Sequence, residues 1–381
     1  TLEIGTGAVY ESSVMVTKPV TIRGQGMDNT FIDGEGNGRI FTVTGMVAGV
    51  VLEDLTVARG QILESPNTGG LLVQGGGSVT MSRVRFFENI GASGGTVAVD
   101  GNDQATTLLF GDSCEFVDNF VLGSGAMLAV TTGNGANVRM TNCLFRGTEL
   151  FGSSNAATVK CSQTDNIVTL VNCTFAKNSS EIAVSLPVIK ANNGGTIAVA
   201  NCVIVGPSHG ASITGSSNAT LVVQNTLTTP NVTLSFVTDG GGNIIATPNF
   251  KDEANGDYRL NGGSPGIDAG DANAYMGAAG GAFDLNGDPR FHDDTGTADA
   301  GLGLPTYLDM GAYEFQGTSP VLCPGDVDGS NTVDVDDLNA ILGAWNTSVT
   351  VGGPLDLAND DGFIDVDDLN VVLGNWGGDC G

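Results

Sequence analysis

Apolar and polar residues alternate with a period of two over short runs, and these runs return at a fixed distance. Val138-x-Met140-x-Asn142-Cys143-x-Phe145 reappears as Val168-x-Leu170-x-Asn172-Cys173-x-Phe175. Alternation of this kind puts one set of side chains on one face of a strand. Leu55, Val84, Cys114, Cys143, Cys173 and Cys202 follow one another at steps of 29, 30, 29, 30 and 29 residues. Two residues beyond each stands Val57, Phe86, Phe116, Phe145, Phe175 or Ile204, and Asn142, Asn172 and Asn201 precede the later cysteines. A fixed period means stacked units that share one core. The pattern over residues 1–245 therefore predicts an all-β chain, a right-handed parallel β-helix of roughly eight coils. Cysteine and phenylalanine should fill the interior, and asparagine should stack on asparagine at a turn. Cysteines at one per coil would sit about 4.8 Å apart along the axis, which reads as small apolar packing rather than a metal site. Cys161 is off this register and is expected to be buried and free.

The period changes at the end of the chain. Residues 326–345 and 357–376 match at an offset of 31: Asp334 with Asp365, Asp337 with Asp368, Trp345 with Trp376. Each copy is an acidic loop followed by Leu338, Ile341, Leu342 and Trp345, or Leu369, Val372, Leu373 and Trp376, at helical spacing. Helices this short are marginal alone, so the two are expected to pair face to face. Acidic side chains at loop positions 1, 3, 5, 9 and 12 converge on one hard cation, usually calcium. The first loop offers Asp326, Asp328, Ser330, the Thr332 carbonyl, Asp334 and Asp337. The second offers Asn359, Asp361, the Phe363 carbonyl, Asp365 and Asp368, but has Leu357 at its first position. One strong and one weaker site are expected. Cys323 and Cys380 bracket this region and are expected to form a disulfide, which a domain this small would gain from.

Composition narrows the setting. With 42 acidic residues against 14 basic ones, the formal charge is −28, which disfavours nucleic acid and anionic membranes. No apolar run is long enough to span a bilayer. Abundant Asp and scarce Lys suit a secreted, calcium-rich location. The chain does not begin with Met, so it looks processed or truncated.

The doubled D-x-[DN]-x-[DS]-[GN]-x-[VI]-D-x-D-D-L resembles the type I dockerin family over about 60 residues, with Asp rather than Glu at loop position 12. That resemblance implies a paired half EF-hand, calcium-dependent folding and docking onto a cohesin-type receptor. It also implies that partner choice sits at Val335-Asp336 and Val366-Asp367, which are identical in both copies. The coil region resembles the pectin-lyase-like β-helix superfamily. Phe86-Phe-Glu-Asn89, Phe116-Val-Asp-Asn119 and Phe175-Ala-Lys-Asn178 look like the F-x-x-N repeat of bacterial surface β-helices, and Phe145-Arg-Gly-Thr148 breaks it. Residues 246–317, dense in turn residues, resemble the closing stretch of secreted proteins of the choice-of-anchor type. They are expected to finish the last coils and cover the end of the sheet. Acidic turns at Asp268/Asp271 and Asp284/Asn286/Asp288 read as solvated turns before calcium sites. Residues 318–322 form a linker and 323–381 the dockerin-like module.

The start, Thr1-Leu-Glu-Ile, reads as a strand with no capping helix, which would leave an open first coil that another copy could stack on, unless upstream residues are missing. Catalytic signatures of polygalacturonases are absent, and Ser208-His-Gly is only a weak echo of one. Carboxylates such as Glu88, Asp112 and Glu115 fall near turns with no evident pairing, so no catalytic residue is assigned. Three functions remain. The first is a non-enzymatic extracellular or cell-surface structural protein, a β-helix stalk with a calcium-dependent docking tail that binds a cohesin-like receptor or neighbouring copies and can form filaments. The second is a carbohydrate-active enzyme, lyase-like or epimerase-like, displayed through the tail. The third is a non-catalytic glycan-binding module.

Overall fold

The structure, a computed structural model, describes residues 1–381 except 64–67, 93, 102–104, 131, 153–155, 181–185, 208–209, 318–324, 328–331, 350–354, 356, 359–361 and 378–381. The chain divides into two compact units, Thr1–Gln316 and Gly317–Gly381. No helix among the described residues is long and apolar enough to cross a membrane.

The first unit is an all-β parallel β-helix. One sheet carries 18 described strands, a second carries nine from Val14–Val16 to Val232–Ser235, and a third carries five from Gln61–Ile62 to Ser179–Ser180. The register follows the sequence period: Val57 pairs with Phe86, Phe86 with Phe116, Phe116 with Phe145, Phe145 with Phe175, and Phe175 with Ile204. The four phenylalanine rings form one interior stack, with centroids 5.2, 4.6 and 4.7 Å apart and planes within 12° of parallel. The column Leu55, Val84, Cys114, Cys143, Cys173, Cys202 is fully buried beside it. Each later thiol donates to a carbonyl of its own coil, Cys143 to Thr141 at 3.1 Å and Cys202 to Ala200 at 3.3 Å. Cys161 is likewise buried and free, and burial pushes its thiol up to about 12. These are packing residues.

Left-handed residues bend the coils at two places. The first stands before the buried column: Asp54, Arg83, Ser113, Asn142, Asn172 and Asn201 have φ between 51° and 57°. This bend flips the alternation, so Met81 and Val84, three apart, both point inward. Asparagine and aspartate tolerate that conformation best, which explains the recurrent Asn before Cys. The second bend, at Glu88, Asp118, Gly147 and Lys177, stands before Asn89, Asn119, Thr148 and Asn178. The asparagine of F-x-x-N is buried and ties its coil to the one before. Asn119 Oδ1 accepts from the Asn89 amide at 3.0 Å and its Nδ2 donates to the Phe86 carbonyl at 2.9 Å. Asn178 repeats this on Thr148 and Phe145 at 3.1 and 2.9 Å.

The expected ladder of Asn142, Asn172 and Asn201 holds at one rung only. Asn201 Nδ2 donates to Asn172 Oδ1 at 2.9 Å, but Asn172 Nδ2 donates to the Asp309 carbonyl and Asn142 Nδ2 to the Tyr275 hydroxyl, both at 2.8 Å. The closing stretch has taken their amides. It does not cover the end of the stack, as the sequence suggested. Instead it lies along the side: Tyr275, Ala272 and Leu308 pack on the outward Val171 and Ala200, and Met310 and Ala269 on Val203 and Leu227. The last rungs, Val232–Ser235 and Thr238–Gly241, stay largely exposed. The reason is apolar surface: the coil side offers alanine, valine and leucine at positions where a solvated strand would be polar.

In the second unit, α2 (Val335–Gly343) and α3 (Val366–Gly374) enclose a core of Val333, Ile341, Ile364 and Val372. The one other α-helix among the described residues, α1, spans Ala272–Gly277 in the closing stretch.

Candidate functional site

Each tail helix begins with a reciprocal cap. Asp334 and Asp365 are the N-caps, both at φ −139°, and accept from the Asp336 and Asp367 amides at 2.9 and 2.8 Å. Three residues on, Asp337 and Asp368 are buried. Asp337 Oδ2 accepts from the Asp334 amide at 2.8 Å and Oδ1 from the Val327 amide at 2.7 Å. Asp368 Oδ2 accepts from Asp365 at 3.0 Å, and its Oδ1 from Leu357 at 2.7 Å and Ala358 at 3.1 Å. The carboxylate at the end of each loop thus holds the beginning of the same loop. That satisfies orphan amides at the helix start and ties the beginning of the loop to its end.

The two copies face each other with an internal pseudo-two-fold. The Gly377 amide donates to Val333 at 2.8 Å, and the Asn346 amide donates to Ile364 at 2.9 Å. Each of these residues is the other's counterpart at an offset of 31.

Of the sequence-derived donors, Asp326, Thr332, Asp334 and Asp337 of the first loop and Phe363, Asp365 and Asp368 of the second lie among the described residues. Asp328, Ser330, Asn359 and Asp361 lie outside the described residues, as do Cys323, Cys380 and Ser208-His209. Val335, Asp336, Val366 and Asp367 are exposed on the first helical turns. One expectation needs correcting. Leu342, Trp345, Leu373 and Trp376 share helical spacing with the core residues, yet they are 49, 42, 50 and 50% exposed. The pairing buries Ile341 and Val372 and leaves their neighbours on the rim.

Burial alone would push Asp368 up, but the amides of Asp365, Ala358 and Leu357 outweigh it and hold its carboxyl below the usual range. A second acidic group, in the closing stretch, behaves oppositely. Arg290 is fully buried, and its Nη2 donates to the carbonyls of Asp309 and Gly311 at 3.1 and 2.7 Å. Its Nε lies 3.6 Å from Glu314. Asp309 accepts from the Asp268 and Phe315 amides at 2.8 and 2.5 Å. Burial raises Asp309 to about 7 and Asp268 to about 6, and raises Glu314 and Asp284 as well. Sequence reading missed this group because its members are far apart in the chain.

The two carboxylate groups should respond to pH in opposite directions. Unfolded carboxyls titrate near about 4. Between about 4 and 7 the folded closing stretch holds protons that the unfolded chain has released, so the first unit loses stability as pH rises through that window. Asp368 contributes stability above about 4 that is lost as acid protonates it in the folded state. Calorimetry in chelator should show the coil transition falling from pH 5 to pH 8 and the tail transition falling below pH 4. Parallel movement of both would contradict these assignments.

Two grooves lie on the coils. One, of about 350 Å³, is lined by Phe110, Asn137, Arg139, Thr169, Gln224 and Ala274, with the Arg139 guanidinium 4.5 Å above the Phe110 ring. It contains no carboxylate. The other, of about 420 Å³, is lined by Glu35, Arg59, Gln61, Glu88, Ile90 and Phe120. Arg59 is held there in an ion pair with Asp33. Sequence reading had left Glu88 unpaired. The fold places Glu35, whose bend is at φ 48°, in the same groove.

No family model and no curated protein matches this chain. Among solved structures it is similar to the tailspike protein gp49 from Acinetobacter baumannii bacteriophage Fri1, a capsular polysaccharide depolymerase. That match has 14% identity and a TM-score of 0.33, and covers 65% of this chain and 57% of the tailspike chain.

Proposed function

We propose that this is an extracellular structural or adhesive protein whose β-helix is a stalk and whose tail is a calcium-dependent docking module of the dockerin type. The observation that carries the reading is the duplicated rim. Val335 and Leu342 on α2 with Trp345 just beyond it, and Val366 and Leu373 on α3 with Trp376 just beyond it, are exposed to matching extents on two pseudo-symmetric helical segments. Exposed tryptophan and leucine in this number, on a unit with a core of a few residues, mark an interaction surface. Asp336 and Asp367 beside them set charge complementarity with a basic or polar receptor face. The loops supply only hard oxygen donors, Asp326, Asp328, Ser330, Thr332, Asp334 and Asp337 in the first and Asn359, Asp361, Phe363, Asp365 and Asp368 in the second, which suits calcium. Calcium would offset the clustered carboxylates and fix the helix starts on which the rim depends. The partner is a cohesin-like domain or a neighbouring copy of the chain.

Sedimentation velocity with calcium and with chelator tests this. Calcium-dependent polymers support self-assembly. A calcium-dependent complex formed only with an added cohesin-type domain supports docking onto a receptor. A profile insensitive to calcium, with no such complex, overturns the reading.

A second reading is a carbohydrate-active enzyme displayed through the same tail. It is favoured by the groove that holds two carboxylates, Glu35 and Glu88, near the aromatic Phe120. Glycosidic chemistry uses two carboxylates in one groove, and an aromatic face suits a sugar ring. Release of sugar fragments from an acidic polysaccharide would move the protein to this class.

A further inference from the structure

The closing stretch holds three carboxylates that neither the tail nor the grooves use. Asp268, Asp293 and Asp299 each place one oxygen within 4.8 Å of the others. Asp293 and Asp299 flank one turn and Asp268 comes from another part of the chain, so the fold brings Asp268 to the pair. Asp268 is fully buried, and neither of its carboxylate oxygens has a hydrogen-bond partner. Its backbone is pinned: the amide donates to Asp309 at 2.8 Å, and the carbonyl accepts from Ala300 at 2.8 Å. The side chain is therefore held where it is, aimed at two more acids. A buried carboxylate in that position costs several kcal/mol unless a cation or a proton meets it.

No basic side chain among the described residues meets it. Among the described residues none of the three acids joins an ion pair. The buried arginine nearby, Arg290, is turned to Glu314 and to the carbonyls of Asp309 and Gly311. Asp284, Asp309 and Glu314 are the buried acids that this one arginine serves. The other acidic turns are already satisfied. Asp284 accepts from the amides of Asn286, Asp288 and Glu314, and Asp271 caps α1.

We propose that Asp268, Asp293 and Asp299 bind a calcium ion that clips the loop around residues 293–299 onto the buried part of the closing stretch. The donor set is all carboxylate, with no histidine or cysteine, which selects a hard divalent cation over zinc. Three carboxylates supply up to six oxygens. Asp293 and Asp299 are exposed or nearly so, which leaves room for water to complete a shell of about six to eight. The raised position of Asp268 fits the same picture. Burial lifts it, the nearby Asp294 amide opposes the lift, and the charges of Asp293, Asp294 and Asp299 add to it. This site is separate from the tail loops and does not depend on the docking reading.

The test is calorimetry of the full chain in calcium chloride and in chelator, following the coil and tail transitions separately. A calcium excess of about a hundredfold over Kd should raise the coil transition by several degrees. Asp268→Asn should reverse sign with the medium. In chelator it removes an uncompensated buried charge and raises the coil transition. In calcium it removes a ligand and leaves the transition below that of the unaltered protein. Asp299→Asn, on an exposed residue that accepts from the Thr306 hydroxyl at 2.7 Å, should move the chelator transition less than Asp268→Asn does and should shrink the calcium shift. If Asp268→Asn does not fold, Asp299→Asn alone decides. Two results would overturn the site: calcium that moves only the tail transition, or Asp268→Asn raising the coil transition equally in both media.

Discussion

Phe145→Ala is expected to destabilise the coil unit by about 3–5 kcal/mol. The ring is fully buried, and both its faces are covered, by Phe116 at 4.6 Å and Phe175 at 4.7 Å. Truncation removes the transfer free energy of an aromatic side chain. It also leaves a cavity that the coils above and below cannot close, because their own backbones are locked in register. The stacking gain with each neighbour is lost as well. Phe120→Ala is the control. Its ring stacks on Phe151 at 6.0 Å but on the outer side, where it is half-buried. Urea unfolding of the two variants should separate them by more than about 1 kcal/mol. Equal effects would mean that the interior stack is not the backbone of the core.

Asp337→Ala or Asp368→Ala is expected to unfold the tail unit on its own. Each carboxylate accepts from at least two part-buried backbone amides, and each removal leaves those donors without that partner, at about 1 kcal/mol apiece. The helix cap goes with it, for about another 1 kcal/mol. Against this stands a core built on four buried residues, Val333, Ile341, Ile364 and Val372. A unit of this size has only a few kcal/mol to lose. Asp336→Ala and Asp367→Ala, exposed at the second helical position, should cost only about 0.3–1 kcal/mol through the helix dipole. The chain has two tryptophans, Trp345 and Trp376, and both lie in the tail. Tryptophan emission during urea unfolding therefore reports the tail alone. Full helix signal and an unchanged midpoint in Asp337→Ala would contradict the role given to the loop-closing carboxylates.

The coil register could be read from sequence because every coil must present the same shape at the same place. Cys143 under Cys173, and Phe145 under Phe175, repeat because a stacked interior tolerates little else. The asparagine before each cysteine is legible for a different reason, the left-handed bend. What that asparagine bonds to was not legible. Asn172 meets the Asp309 carbonyl and Asn201 the Asp271 carbonyl across 137 and 70 residues, and no local pattern encodes such a contact. Arg290, Asp309 and Glu314 escaped for the same reason. Helical spacing in the tail showed which residues are apolar and periodic, but a short helix has an apolar arc wider than its contact. Ile341 was captured by the core, and Leu342 and Trp345 were left outside. The capping carboxylates were legible as loop donors, and their second task, holding the loop's own first amides, follows from geometry that spacing does not carry.

Amide hydrogen exchange on the full chain, in calcium and in chelator, is the most direct measurement. With calcium, amides in α2 and α3 and in the interior strands around Phe86, Phe116 and Phe145 should all be protected. In chelator, protection should collapse in α2 and α3 and persist in the interior coil strands, because the tail needs the cation to fold while an ion at Asp268 would only add to a core that the stacked coils already hold. Tail amides that stay protected in chelator, or coil amides that lose protection together with them, would contradict a calcium-dependent tail folding apart from a self-sufficient β-helix.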